Sequence, residues 1–395
     1  SFYIVAFSTL ILMIVAMSFA AVIISEVKTR KELKKFVQFG IDIFEGNEYF
    51  CPPLIFDELN TLDSKKNPAF EVCEAVYYLA YKDGKIVGRI AGIINKQANA
   101  HWNVKKVRFG WFDFIDDKEV SKALLDAVVA WGKSKGMDAL NGPVGFTDLD
   151  HQGLLVEGYE YLSLMAALYN HPYYVEHFEA YGLCKEADWI EIRIKVPEVL
   201  PEKMSRVANL IADRYKVRAT HVKNSKELIK RYGYSFFDLI DTAYKQLYNY
   251  SPLTEKQKKY YSDLYFPILN FDLVSLLVNE NDELVGVGVA MPNLSKELRK
   301  TKGKLFPFGW VHMLKALTAK TYESADLLLI AVRPDYQNKG INSLIFTDQL
   351  PFYQKHKVKY ASVTAILETN MKSMANFLLF DHEIYKRRRA YIKQI

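Results

Sequence analysis

The chain repeats itself after roughly 200 residues, and this repeat limits its fold more than any other feature of the sequence. Residues 27–33 (VKTRKEL) resemble residues 222–228 (VKNSKEL), and residues 78–91 resemble residues 276–289 in the pattern strand, tight turn, strand. Landmarks that recur in the same order at nearly the same interval indicate two copies of one unit. Each copy is predicted to run strand, helices, hairpin, strand, helix, strand, helix, strand, which places the chain in the α/β (α+β) class.

The first landmark also predicts how a helix begins in each copy. Thr29 and Asn224 are N-cap residue types, and Glu32 and Glu227 follow three positions later. This spacing is typical of a capping box, in which the two side chains satisfy free backbone N–H groups at the start of a helix.

Two domains are also expected from the length of 395 residues, which exceeds what one hydrophobic core usually serves. Pro197 and Pro201 lie close together and disfavour a continuous helix or central strand between them. We therefore predict an N-terminal domain over residues 20–196 and a C-terminal domain over residues 197–395.

The amino terminus begins with an apolar run that carries no charged residue from Phe2 to Ile24. If the repeat places the first strand at Ala20–Val27, the run shrinks to residues 2–19, which is marginal for a membrane span. The basic cluster that starts at Lys28 would leave a protein anchored there on the inner face of the membrane. Two interpretations of residues 1–19 stay open, a membrane anchor or an extension that only packs on the protein or is not native.

Cysteine use and charge narrow the class of protein. Cys51, Cys73 and Cys184 are odd in number and lack CxxC spacing, so we expect free thiols in the cytoplasm and assign no metal site. The net charge of +6 mildly favours anionic ligands but is far below the basic density of a nucleic-acid-binding protein. The oligomeric state is not predicted.

The segment around Gly340 is the main candidate for chemistry. Ala325–Val332 has the length and composition of a buried strand, Pro334 ends its pairing, and Ile341–Tyr353 has helical spacing. A strand that runs through a short loop into a helix points successive N–H groups at one place, which favours an anion. An ordinary strand-to-helix connection is the alternative, and neither a P-loop nor a GxGxxG motif is present. The predicted cofactor contacts on the strand, the loop and the helix start are Ile330, Ala331, Val332, Gln337, Asn338, Lys339, Gly340, Ile341 and Asn342.

The residues of this loop resemble the acetyl-CoA loop of the GNAT acyltransferase superfamily, with the pattern Q/R-x-x-G-x-G/A. Gln337 and Gly340 match the pattern, and Asn342 departs from it. After the next predicted strand, Asn370 and Ser373 resemble the N-x-x-A start of the following helix in the family. The tyrosine that protonates the departing thiolate in the family would fall at Phe377, which has no proton to donate.

The first half is similar to the family only at its end. Residues 170–183 resemble the GNAT ending N-x-x-x-Y…Y-G-F, whereas residues 114–121 stand where the phosphate loop belongs and contain three carboxylates and no glycine. Carboxylates repel a pyrophosphate, so the first half is expected to have lost the cofactor. The resemblance therefore implies two tandem GNAT-like domains, each a mixed central sheet flanked by helices, as in tandem GNAT proteins of bacteria.

The resemblance further implies transfer of an acyl group from acetyl-CoA or another acyl-CoA to an amine. Backbone N–H groups at 330–332 would polarise the thioester oxygen, and Glu368 is the candidate base. Tyr385 is a substitute proton donor, and Tyr353 is a second. A small-molecule or peptide amine is the expected acceptor, with no nucleic acid, and with membrane contact only through residues 2–19.

The loop from Gly142 to Gly153 is rich in glycine and carries Asp148, Asp150 and His151 close together. A metal site, a loop that uses aspartate for its turns, and an acceptor site at the domain interface are the three interpretations of it.

Two further functions stay open. Fem-type aminoacyl or peptidyl transferases share a two-copy architecture, and the departures at Asn342 and Phe377 leave room for a non-catalytic CoA-binding or interaction protein.

Overall fold

The computed structural model describes residues 21–370, 375 and 377–395, and one mixed sheet of 13 strands runs through both halves of the chain. In chain order the strands are β1 (Ile23–Glu26), β2 (Cys73–Lys82), β3 (Lys85–Asn95), β4 (Lys106–Phe114), β5 (Ala139–Gly142), β6 (Leu154–Glu157), β7 (Cys184–Lys195), β8 (Arg218–Thr220), β9 (Val274–Val278), β10 (Leu284–Pro292), β11 (Ser324–Val332), β12 (Tyr360–Leu367) and β13 (His382–Gln394). Their order across the sheet is β1-β2-β3-β4-β5-β13-β7-β12-β11-β10-β9-β8, and β6 pairs with β13 beside this path.

Helices cover both faces of the sheet. The α-helices of the described residues are α1 (Arg30–Asp42), α2 (Ile55–Thr61), α3 (Lys96–Trp102), α4 (Lys118–Ser134), α5 (Tyr174–Ala180), α6 (Glu202–Tyr215), α7 (Ser225–Tyr232), α8 (Ser235–Tyr244), α9 (Glu255–Tyr265), α10 (Ser295–Thr301), α11 (Gly309–Leu317) and α12 (Asn342–Lys355). Short 3-10 turns lie at Pro68–Glu71, Phe266–Ile268, Phe271–Leu273, Pro334–Tyr336 and Phe377–Leu379.

The predicted helix starts are present in both halves. Thr29 accepts a hydrogen bond from the Glu32 N–H, and the Glu32 carboxylate accepts one from the Thr29 N–H, which completes the capping box of α1. At α7, Asn224 accepts from the Glu227 N–H at 3.0 Å. These caps satisfy N–H groups that have no partner inside the helix.

The repeat is visible in the pairing of the strands. The hairpins β2–β3 and β9–β10 are antiparallel, and each is followed by a parallel pair, β4–β5 in the first half and β11–β12 in the second. Helix α4 joins the strands of the first parallel pair and α12 joins those of the second. The α/β fold of two similar halves, each with a mixed sheet flanked by helices, is therefore confirmed.

The two halves exchange their last strands. β7 belongs to the first half in sequence but pairs with β12 of the second, and β13 belongs to the second half but pairs with β5 of the first. β7 and β13 also pair with each other along most of their length, from Cys184↔Ile392 to Ile194↔His382. Backbone hydrogen bonds therefore run without interruption from one half to the other.

The core forms in layers on the two faces of the sheet. In the first half, the apolar side of α4 packs against β3 and β4 through residues such as Leu124, Ile90 and Phe109. Helix α1 packs on the opposite face. In the second half, α12 places Phe346 and Leu350 against β11 and β12, and α8 covers the other face. Burial of this apolar surface is the main source of stability for such layers.

Three other sequence predictions concern the cysteines, the domain boundary and the amino terminus. Cys51 and Cys73 are buried free thiols, and Cys184 is a free but exposed one. The predicted domain boundary at 196–197 lies between β7 and α6 and stays a prediction. The apolar run of residues 2–19 lies outside the described residues, and none of the helices within the described ranges is long and apolar enough to cross a membrane.

Candidate active site

A gap opens in the sheet between the parallel strands β11 and β12. Their pairing runs from Ser324↔Tyr360 to Leu327↔Val363 and ends there. Beyond Val363 the backbone of β12 is irregular, because Ala365 has a positive φ of 55° and the register with β7 shifts between Val363 and Ile366. The carboxyl-terminal part of β11 therefore diverges from β12 and leaves a slot in the sheet.

Two residues of β11 turn their backbone toward this slot. The Arg333 N–H donates to the Val285 carbonyl of β10 at 2.8 Å, so alternate residues of the strand also face β10. Ile330 and Val332 must then point their N–H and C=O groups away from β10. The hydrogen bonds of the two carbonyls are consistent with this orientation. Ile330 accepts one from the Tyr244 hydroxyl at 2.9 Å, and Val332 accepts one from the Gln337 amide at 2.8 Å.

The loop after β11 has the shape expected of an anion site. Pro334–Tyr336 forms a 3-10 turn, Asn338 and Gly340 have positive φ values of 59° and 76°, and α12 begins at Asn342. The start of α12 thus lies one residue later than the predicted Ile341. Glycine suits the left-handed backbone at position 340 because a side chain there would be strained. The first N–H groups of a helix are natural ligands for phosphate.

The charged side chains of this loop are partly engaged by the protein itself. Arg333 is paired with Asp335 at 2.7 Å and with Glu283 at 3.5 Å. The pair lowers the pKa of Asp335, and the hydrogen bond from Asn279, together with that from Arg333, lowers the pKa of Glu283. Lys339 donates to the Asp335 carbonyl at 2.6 Å and lies beside the Tyr215 ring. A cavity of about 200 Å³ adjoins Lys339 along α6. The backbone N–H groups, with Lys339 at the rim, are thus the best ligands for an anion here.

Of the other predicted cofactor contacts, Ala331 is buried in β11 and Ile341 in the core beneath α12. Asn370 follows β12 by three residues, and Ser373 lies outside the described residues. Ile330, Val332 and the loop thus lie at one end of the slot, as expected for one site. Their role in cofactor binding stays a prediction.

The two predicted catalytic side chains lie in different surroundings. Glu368 is partly exposed and pairs with Lys185 at 2.9 Å and with Arg387 at 3.3 Å, and the hydrogen bond from Lys185 is the main reason that its pKa is lowered. A lower pKa makes the carboxylate a weaker base. Tyr385 is buried and donates to Ser362 at 3.2 Å, beside the paired part of β11–β12 instead of the open slot. Both roles stay predictions.

Tyr244 is a residue of the slot that sequence reasoning missed. It lies at the end of α8, and its hydroxyl meets the Ile330 carbonyl on the open side of β11. Burial raises its pKa, and the nearby Asp148 carboxylate raises it further. A tyrosine at the end of an amphipathic helix gives no sequence signal for this position, because only the packing of α8 on the sheet creates it.

The loop between Gly142 and Gly153 crosses from the first half to the wall of the slot. Its Leu149 packs in the same apolar cluster as Tyr244 and Leu329. Asp148 accepts a hydrogen bond from the Ser251 N–H of the second half at 3.4 Å. Burial raises the pKa of Asp148 to about 7, although the hydrogen bonds and Arg108 act in the opposite direction. A carboxyl group with such a pKa can accept a proton near neutral pH.

The neighbouring acid has a structural role. Asp150 accepts from the N–H groups of Phe146 at 2.8 Å and Thr147 at 3.1 Å, so it organises the turn as an aspartate in a loop commonly does. Burial lowers the pKa of His151 to about 4, which keeps that ring neutral. Within the described residues, no three His, Cys, Asp or Glu side chains are grouped so as to hold a metal ion.

The corresponding slot of the first half is filled by its own chain. Directly after β5, the Val144 N–H donates to the Phe109 carbonyl of β4 at 2.9 Å, and Gly110 of β4 lies against the Val144 carbonyl. The acids at the start of α4 serve the protein, since Asp117 caps that helix and Asp116 pairs with His177. These contacts occupy the place where the second half is open.

No protein-family model matches the chain. Protein YghO of Escherichia coli (strain K12) is 27% identical over 377 residues, which cover 93% of this chain and 94% of that protein. The bacterial ceramide synthase of Caulobacter vibrioides is 25% identical over 314 residues, which cover 79% of this chain and 80% of that protein.

Solved structures with the same architecture include a tandem GNAT protein from the clavulanic acid biosynthesis pathway, with a TM-score of 0.54 and 11% identity over 95% of this chain and 98% of that one. The GCN5-related glucosamine N-acetyltransferase region of a fungal β-N-acetylglucosaminidase also has a TM-score of 0.54, with 12% identity over 95% of this chain and 38% of that one. The two similar halves, the separated parallel strands and this likeness show that the chain is a protein of the tandem GNAT fold.

Proposed function

We propose that the chain is an acyl-CoA-dependent N-acyltransferase that uses the slot of its second half. The observation that carries this proposal is that β11 separates from β12 beyond the pair Leu327↔Val363, on the strand that leads into the loop with Gly340. A slot in the sheet suits the pantetheine arm of an acyl-CoA. The loop at the end of the slot suits the pyrophosphate.

The reaction joins an amine to the acyl carbon and releases CoA as the thiol. The N–H of Ile330 or Val332 would polarise the thioester oxygen, because both face the slot. The attacking amine would give a proton to Asp148 as the new C–N bond forms. As the C–S bond breaks, the thiolate would take a proton from Tyr244. Glu368 and Tyr385 remain alternative candidates for these two roles.

The test of cofactor binding is calorimetry with acetyl-CoA and with a long-chain acyl-CoA. Gly340→Glu places a side chain on a left-handed backbone (φ 76°) and a negative charge at the phosphate position. We expect it to weaken binding by about a hundredfold or more. Gly136→Glu is the matched control, since Gly136 also has a positive φ (81°) but lies in an open turn of the first half. Binding unaffected by Gly340→Glu, or weakened equally by both changes, would contradict the proposed site.

A long-chain amine is the acceptor that we favour within this function. Ceramide is the amide of a fatty acid and a long-chain amino alcohol, and a ceramide synthase is among the relatives. Beside the slot, Leu328 of β11 packs in an apolar cluster with Met165, Met291 and Met313. Unbranched methionine side chains adapt to varied apolar partners.

Thioester consumption should therefore be measured with a long-chain 2-amino alcohol and, in parallel, with a water-soluble polyamine. Reaction with the first alone would support a lipid acceptor, and reaction with the second alone would leave the transferase function but reject that acceptor. If no amine in a wider panel leads to consumption of acyl-CoA, a non-catalytic CoA-binding role is the better account. A Fem-type transferase would instead show salt-dependent affinity for charged tRNA.

A further inference from the structure

A group of exposed apolar side chains lies on one helical hairpin, residues 295–317, which we call the aromatic hairpin. It consists of α10, a connecting segment and α11. The connecting segment leaves Phe306 78% exposed and Phe308 71% exposed, and Trp310 follows at 48%. Three large aromatic side chains so close together and so open to water are unusual on a soluble surface.

Helix α11 continues this surface. Val311 and Leu314 on its outer side are exposed, while Met313 on its inner side is buried against the protein. The helix therefore has apolar residues on two sides, although only one side is needed to hold it to the core. Its outer side is left without a partner within the described residues.

Basic side chains surround the aromatic ones. Lys302 and Lys304 precede Phe306, and Lys315 lies beside Leu314 on α11, all three exposed. Exposed aromatic rings flanked by lysines are typical of segments that enter the interface of an anionic bilayer, where the rings lie at the level of the headgroups. Each lysine near such a surface adds attraction through its charge.

The hairpin is fixed firmly to the rest of the molecule. Arg299 donates to the carbonyls of Asn47 at 3.1 Å and Phe50 at 2.7 Å in the first half. The Gly303 carbonyl accepts from the Ile55 N–H at 3.0 Å, and a Cβ at Gly303 would clash with the Pro53 carbonyl. The aromatic side chains are therefore presented by a rigid support, which lowers the entropy lost on binding.

The position of the hairpin connects it with the slot. Met313 and Leu317 of α11 pack in the same apolar cluster as Leu328, which lies in the part of β11 beyond its pairing with β12. The helix that carries Trp310 thus packs against β11 beside the slot.

From these observations we propose that the aromatic hairpin docks the protein on the surface of an anionic lipid bilayer, with Phe306, Phe308 and Trp310 inserted among the headgroups and Lys302, Lys304 and Lys315 against their negative charges. This inference goes beyond the acyltransfer function and does not depend on it. It also differs from anchoring by residues 2–19, because the contact is made by a folded surface of the second half.

The test uses the intact protein and vesicles of phosphatidylglycerol with brominated acyl chains, which quench tryptophan at the membrane interface. The chain has five tryptophans, so the assignment rests on variants. We expect quenching in the wild type and loss of at least about half of it in Trp310→Phe, which keeps an aromatic ring but removes the reporter. Trp102→Phe, which alters another partly exposed tryptophan, is expected to leave the quenching unchanged.

A second variant tests the contribution of the surface. The double change Phe306→Ser with Phe308→Ser should lower the vesicle partition coefficient about tenfold or more. The control is Val199→Ser with Leu210→Ser, which alters exposed apolar positions elsewhere and should leave the coefficient unchanged. Raising the salt concentration or replacing phosphatidylglycerol with phosphatidylcholine should also weaken binding. Quenching that survives in Trp310→Phe would overturn the proposal. A protein that does not bind vesicles, and that light scattering shows to be a dimer dissociated by the double change, would also overturn it. In that case the hairpin would be buried between two copies of the chain.

Discussion

At the scale of single residues, Asp148 and Tyr244 are the site residues whose surroundings only the structure shows. The sequence pointed to the loop around Asp148 because glycines and acids are concentrated there, but three interpretations were open. Burial raises the pKa of both acids, but their partners differ: Asp150 accepts hydrogen bonds from its own turn, whereas Asp148 accepts one from Ser251 of the second half. Tyr244 could not be predicted, because its place at Ile330 depends on how α8 packs on the sheet. Local patterns thus identified the loop of the proposed cofactor site, but not the residues that face it from other elements.

Asp148→Asn is expected to lower kcat/KM by about a hundredfold or more. The wild type is expected to react faster as the pH rises through about 7, and the variant is expected to lack that rise. The reason is that the wild-type carboxyl loses its proton near that pH and only then accepts one from the amine. The measurement is a pH–rate profile of thioester consumption. Glu368→Gln serves as the comparison, and a profile flattened by that change alone would assign the base to Glu368.

The stability of the same variant separates catalysis from folding. The pKa of Asp148 is raised from 3.8, so the unfolded chain loses this proton at a lower pH than the folded protein does. Ionisation of Asp148 therefore destabilises the fold as the pH rises from about 4 to about 7. Asp148→Asn removes that penalty, and thermal denaturation at pH 8 is expected to show no loss of stability.

At the scale of elements, strands and helices were predictable wherever the signal is local. The two hairpins, the caps of α1 and α7 and the strand before Pro334 all follow from short patterns. The exchange of β7 and β13 does not, because an antiparallel partner satisfies an edge strand equally well whichever half supplies it. Buried charges also lie between the two exchanged strands, and a sequence pattern does not show them.

Glu191 of β7 lies between two cations of β13, with Arg388 at 2.8 Å and Lys386 at 3.5 Å, and all three side chains are buried. Burial alone would raise the pKa of Glu191, but the two cations lower it. Glu191→Ala leaves both cations unpaired, so we expect the free energy of unfolding to fall by about 3–5 kcal/mol in urea denaturation.

The matched control is Glu383→Ala, which breaks the pair between Arg193 and Glu383 on the same two strands at a partly exposed position. Exposed pairs contribute little, so its cost is expected to be below about 1 kcal/mol. Equal losses for the two variants would show that the buried cluster has no special role in holding the halves together.

At the scale of the whole molecule, the exchange makes each half depend on the other. Residues 1–196 alone would leave β7 without β12 and β13, and residues 197–395 alone would leave β13 without β5 and β7. We expect neither piece to unfold cooperatively by itself. Mixing the two should restore a cooperative transition and form a one-to-one complex, as measured by calorimetry and light scattering. A stable, monomeric N-terminal piece with native-like protection from hydrogen exchange would contradict this expectation.

The crossed strands also bear on the ancestry of the chain. Two identical proteins that traded their last strands would form a symmetric homodimer, and fusion of their genes would yield the strand order seen here. In such a history one copy could lose cofactor binding and keep its structural role, and the closure of the first-half slot by Val144 fits that outcome. The final strand of the first half still completes the sheet of the second. A copy without a cofactor site would therefore remain necessary for the half that carries the open slot.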